Sequence, residues 1–238
     1  MMKLLKNTGV RRVLATSAVL VLTLAAAVVS DATVREISDD AEFSAPTCQD
    51  SNCQVITRTT AYQLQSGAKK NPFRVPKSGQ LVAYTLYLPK VTNQRPSYVY
   101  RYFANAFNGA PTARIAVLRP APRRGTRYRY TLVAQSERIN VKEYLGGSPS
   151  FALPKPIPVR RGDVIGITTD SWLPSFRVTD DQTSTWRASR PKGKCVAGEN
   201  SVNFKAPRMH RTLKQVKVYA CGYKGSRLLY KATVVDKP

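Results

Sequence analysis

Ile157-Pro-Val-Arg-Arg-Gly-Asp-Val-Ile-Gly-Ile-Thr-Thr169 is the stretch that decides the fold. A polar turn, Arg160-Arg161-Gly162-Asp163, separates two apolar runs. The second, Val164–Thr169, is β-branched and too short for a helix, so it reads as a buried strand entered through a tight turn. Pro154, Pro156 and Pro158 keep the approach extended and exclude a helix there. Gly162 and Asp163 fit turn geometry, with the Asp163 carboxylate bonded to nearby amides.

Working outward, the same grammar repeats. Leu81–Leu88 alternates with both faces largely apolar, which predicts a central strand stopped by Pro89. Thr112–Arg119 and Arg127–Ser136 predict a hairpin with a proline-rich, basic tip. Gln54–Thr60, Thr185–Ser189, Lys214–Cys221 and Arg227–Val235 are further β-prone runs. Tyr98–Asn108 places Val99, Tyr102, Phe103, Ala106 and Phe107 on one helical face, with Gly109 as the stop, and predicts the one short helix. Roughly ten short strands with turns every eight to twelve residues predict an all-β fold, a two-sheet β-sandwich of jelly-roll-like form.

The N-terminal part reads differently. Lys3, Lys6, Arg11 and Arg12 precede the apolar run Val13–Val29, and small residues follow, with Ala25-x-Ala27 and Ser30-x-Ala32 as candidate cleavage patterns. Residues 1–32 are therefore expected to be a secretory signal peptide, the alternative being an N-terminal membrane anchor. No transmembrane span is expected in the mature form. Residues 33–47, acidic through Glu36, Asp39, Asp40 and Glu42, read as a solvated linker, and 48–238 as a single β-sandwich domain. The expected location is extracytoplasmic, secreted or in the cell envelope.

Cysteine usage agrees. Cys48, Cys53, Cys195 and Cys221 are even in number in a chain read as exported, so two disulfides are expected. Of three connectivities, Cys48–Cys53 with Cys195–Cys221 is preferred, because both pairs are close in sequence. A metal site lacks ligands, since His210 is the one histidine, and no cofactor motif is present.

Charge is the other strong signal. Lys and Arg number 38 against 14 Asp and Glu, a net charge of +24. Such a field attracts polyanions. An exported protein meets anionic envelope polymers and glycans before it meets nucleic acid, which makes nucleic acid the weaker candidate. Arg123, Arg124, Arg127 and Arg129 at the hairpin tip, and Arg187, Arg190, Lys192 and Lys194 further on, are the candidate polyanion- or glycan-binding residues, with Trp172 and Trp186 as stacking platforms. The plainer reading makes the aromatics core residues. No catalytic residue is assigned. His210 lies in a basic loop and reads as solvated. The rival reading, a carbohydrate-active hydrolase of jelly-roll form, would need Asp180, Asp181 or Glu143 in a groove lined by Trp172.

Val75–Leu86, Ala113–Arg119, Ile157–Ile167, Trp186–Cys195 and Tyr219–Tyr223 together resemble a group of uncharacterised exported proteins of high-GC Gram-positive bacteria. The resemblance spans most of the mature chain. It implies an extracellular β domain and carries no assigned activity. Composition, spacing and resemblance together predict an envelope-associated, non-enzymatic binding protein whose function lies in its basic loops.

Overall fold

A computed structural model describes residues 32–39, 48, 53–91, 99–122, 127–195 and 206–236, all within one compact unit, Ala32–Pro238. The expected signal segment lies outside the described residues. Among those described, no helix is long and apolar enough to cross a membrane.

The elements run β1 (Val34–Ile37), β2 (Ile56–Ser66), β3 (Lys69–Lys70), β4 (Gly79–Leu86), α1 (Val99–Ala106), β5 (Thr112–Pro120), β6 (Arg129–Gln135) and β7 (Ile139–Asn140). After a 3₁₀ turn at Lys142–Tyr144 follow β8 (Ser150–Val159), β9 (Val164–Leu173), β10 (Phe176–Val178) and β11 (Thr185–Ala188). The chain ends in β12 (Val216–Val218), β13 (Cys221–Lys224), β14 (Ser226–Leu228) and β15 (Tyr230–Asp236). The fold is an all-β sandwich, with the predicted helix in place. One sheet has the order β1-β15-β4-β8 and the larger one follows β12-β6-β5-β9-β2-β11-β13. β10 and β14 form a separate ribbon. The prolines of β8 sit on an edge strand, the place in a sheet that tolerates missing N–H donors.

The larger sheet curls. β12 and β13 occupy opposite ends of its strand order, yet only Tyr219 and Ala220 separate them. Tyr219 N–H donates to Tyr128 O (2.9 Å) and Ala220 N–H to Arg190 O (3.2 Å), so one kinked segment, Val216–Lys224, touches both edges and draws the sheet into an incomplete barrel.

Curling gives β9 two covered faces. On one, Ile165 and Ile167 join Ile115, Val117, Leu81, Leu86 and Tyr230 in the core between the sheets. On the other, Val164 packs with Tyr62, Leu118, Tyr130, Leu132 and Tyr219 inside the barrel. Val164–Thr169 is therefore buried at every position, which is why its sequence is a continuous run rather than an alternation. A third cluster joins Phe103 and Phe107, at and just beyond α1, to Trp172, whose Nε1–H donates to Gly109 O at 2.9 Å.

Two corrections concern the chain's early part. Residues 33–47 were expected to be a linker, but Val34–Ile37 pairs with β15 along its length. Asp39 is buried and bonded to Arg227, which an acidic leader's composition does not reveal. The rest of that stretch, residues 40–47, lies outside the described residues. Both expected disulfides, Cys48–Cys53 and Cys195–Cys221, are present. The second spans 26 residues and contributes roughly 3–4 kcal/mol by restricting the unfolded chain.

Gly166 tests the packing of β9. A Cβ there would lie 2.8 Å from Ala61 O and 3.1 Å from Leu118 Cδ1. Gly166→Val is expected to cost about 3 kcal/mol by overpacking, read as a lower urea midpoint at unchanged m-value.

Candidate anion-binding site

At the end of the barrel where β9 begins, the turn Arg160–Asp163 builds one wall of a cleft. Gly162, at φ +92°, adopts a conformation that suits glycine, and its N–H donates to Val75 O at 2.8 Å. Asp163 is almost wholly buried and takes a two-pronged bond from Arg119, with both contacts at 2.8 Å. It also accepts from Arg160 N–H at 2.9 Å. The Asp163 charge is thus used internally, and the bond in turn raises the Arg119 pKa.

The cleft beside this turn has a volume of about 490 Å³. Arg74, Arg127 and Arg129 line it together with Tyr128, Tyr130 and Val164, and among the described residues no carboxylate does. Arg74 arrives on the segment that bridges to Val164, and Arg127–Arg129 lead into β6. Arg74 and Arg127 are exposed. Among the described residues none of the three arginines has an acid within ion-pair distance, and the buried Nε of Arg129 has no hydrogen-bond partner. Guanidinium groups without an acid partner have the charge and donor geometry to engage an anionic acceptor.

Tyr128 holds this geometry. Its φ of +59° is uncommon for a non-glycine residue. Its carbonyl accepts from Tyr219 N–H, and the Arg187 guanidinium lies 3.5 Å from its ring centroid. Arg187 Nη1 also donates to Tyr219 O (2.7 Å) and Ala220 O (3.1 Å). Arg187, expected as a binding residue, is instead the clasp that fastens the kinked segment to the start of β6.

The other sequence candidates separate. Arg127 and Arg129 lie in the cleft, while Arg123 and Arg124 lie outside the described residues. Lys192 and Lys194 are exposed on a separate turn. Arg190 is buried and donates to Thr57 O at 2.8 Å, and it lines a small cavity of about 170 Å³ together with Trp186 and Lys224. Trp172 is fully buried behind α1, so it lines no groove. Trp186 is buried too, stacked on Tyr223 with its Nε1–H bonded to Ser226. Both tryptophans pack as core residues, Trp172 against α1 and Trp186 in the main core, where it also borders the small cavity beside Arg190. Arg74 and Asn71 were missed, because they lie in a loop-like stretch far from the basic clusters.

The groove required by the hydrolase reading is not assembled from those residues. Asp181 caps its own turn through Thr183 and Ser184, and those bonds lower its pKa to about 2. Asp180 and Glu143 are exposed on different segments. A second polar cleft, about 420 Å³, lies at the far end of β9 beside Arg58, Arg138 and Arg211. There Asp170 lies in the lining and binds Arg211 (2.6 Å), and it also binds Arg114 (3.2 Å).

His210 also departs from expectation. It is buried, not solvated. Its Nε2–H donates to Gln215 O at 2.9 Å, which leaves Nδ1 to accept from Tyr219 O–H at 3.2 Å. Burial lowers its pKa, outweighing the Gln215 bond, and the charge of Lys217 adds to the lowering.

No family model and no curated protein matches the chain.

Two outcomes follow from this geometry. Arg187→Ala, which removes two charge-assisted bonds and the contact with Tyr128, is expected to cost about 3 kcal/mol or more in chemical denaturation. Arg187→Lys should recover only part of that loss, since it lacks the planar fork. The His210 imidazole titrates near 6.5 when unfolded and lower when folded. Its contribution is therefore complete above about pH 6.5 and declines as pH falls from there toward the folded value. The urea midpoint should drop between about pH 7.5 and pH 5.5, and His210→Gln should flatten that slope.

Proposed function

We propose that this is an exported, envelope-associated, non-enzymatic β-sandwich protein that binds an anionic envelope polymer or glycan through basic surface loops. The observation that carries this reading is the arginine-lined cleft at the barrel mouth, which gathers Arg74, Arg127 and Arg129 with no carboxylate among the described residues of its lining. A net charge of +24 supplies a long-range field that raises the local concentration of any polyanion. The two disulfides suit an oxidising compartment. The signal-like N-terminus gives the route out of the cell.

Fractionation of the producing cells tests it. The protein should sediment with envelope material at low salt and leave it when ionic strength is raised, because each phosphate-type contact releases counterions on binding. Retention in high salt would overturn the electrostatic basis. Displacement by duplex DNA but not by envelope polymer would favour the nucleic-acid alternative.

A further inference from the structure

We infer that the barrel-mouth cleft is a discrete site for the phosphate ester of a sugar or polyol, rather than one part of a diffuse positive surface. The inference rests on the polyanion reading and deepens it. Three features of the cleft narrow the ligand.

The first is the number of cations. Arg74, Arg127 and Arg129 line one space, with no acid among the described residues of its lining. A carboxylate presents two oxygens in one plane, which one or two guanidinium forks satisfy. A phosphate ester presents tetrahedrally disposed oxygens and up to two negative charges, so it can engage forks from several directions. The second feature is the Nε–H of Arg129, a residue that lines the cleft: it is buried and lacks an acceptor among the described residues. Leaving such a donor unmet is costly, so a shift of the Arg129 side chain toward a phosphoryl oxygen in the cleft would relieve that cost. The third is size and lining. About 490 Å³ lies within the range of small-molecule sites and far exceeds the needs of a lone inorganic ion. Leu64, Val164 and Pro120 give it an apolar wall beside the Tyr128 ring, suited to a carbon skeleton carrying the phosphate.

The position is also pre-set. Tyr128 lies between Arg127 and Arg129 in sequence and is fixed by Tyr219 and Arg187. The arginines on either side of it therefore leave a fastened stretch of backbone, which reduces the ordering cost of binding. The second cleft differs in that its lining includes a carboxylate, Asp170, which binds Arg211.

Calorimetric titration at fixed ionic strength provides the test. The probes are inorganic phosphate, glycerol 1-phosphate, an oligomer of glycerol phosphate diesters, and glucuronate. Glycerol 1-phosphate is expected to bind once per chain and at least about tenfold more tightly than glucuronate. The diester oligomer separates a site for chain ends from one for chain interiors. Arg74→Gln and Arg127→Gln, both at exposed positions, should each weaken glycerol 1-phosphate about tenfold or more. The charge-matched pair Lys192→Gln and Lys194→Gln should change it less than twofold. Since Arg129 is partly buried, its Nε–H resonance in the unaltered protein is followed instead and should shift on phosphate addition. Equal weakening by the cleft and lysine variants, or equal affinity for glucuronate, would overturn the site while leaving the polyanion reading standing. If no polyanion binds even at low salt, both readings fall.

Discussion

Everything about this molecule depends on how its larger sheet closes. Tyr219 and Ala220 carry one chain segment from the β6 edge to the β11 edge, and Arg187 ties that kink to Tyr128 with two carbonyl bonds and a stacked ring. Without this join, the concave face of the sheet would expose Tyr62, Tyr130, Leu118 and Leu132 to water. With it, that face becomes a second core, the aromatic rings pack edge to face, and β9 is buried on both sides. The same join places Arg127 and Arg129 at the mouth, so the interaction that closes the fold also sets the geometry of the cleft.

The buried acidic residues share one arrangement. Asp39, Asp163 and Asp236 are buried, and each is answered by one arginine: Arg227, Arg119 and Arg35. Asp170 takes two, Arg114 and Arg211. A buried carboxylate without a partner would be strongly destabilising, so these pairs are maintained for reasons of desolvation rather than for net gain. Acids committed inside the fold leave much of the basic excess uncompensated outside it. A high net charge thus becomes local positive potential where loops carry arginine and no acid is near, as at the barrel mouth.

Sequence pattern reached some of this and missed other parts for identifiable reasons. Leu81–Leu86, Thr112–Arg119 and Val164–Thr169 were legible because burial imposes apolar residues at fixed periods. Val99–Ala106 was legible because its apolar positions follow a helical face ending at Gly109. Val34–Ile37 was not, because it is an edge strand held mainly through backbone pairing, and only Ile37 among its side chains is buried. The basic clusters were visible, yet their fates were not: Arg187 and Arg190 face inward to carbonyls, while Arg127 and Arg129 line a cleft. An arginine's neighbours in sequence do not reveal which carbonyls or acids it will meet in space. His210 shows the same limit, since a basic loop carries it into a buried bond with Tyr219.

The amino-acid sequence by itself determined the all-β class, the short helix, the pairing of the cysteines and the excess of positive charge. Each of these follows from local periodicity, turn chemistry, cysteine spacing or composition. Tertiary structure alone decided that the sheet curls, that Trp172 and Trp186 are core residues, and that Arg74 joins Arg127 and Arg129 around one cleft. Those outcomes rest on non-local strand register, which joins residues far apart in the chain. In Ile157–Thr169 both levels meet: its sequence specifies a turn and a buried strand, and the curled sheet makes that turn the wall of a cationic cleft.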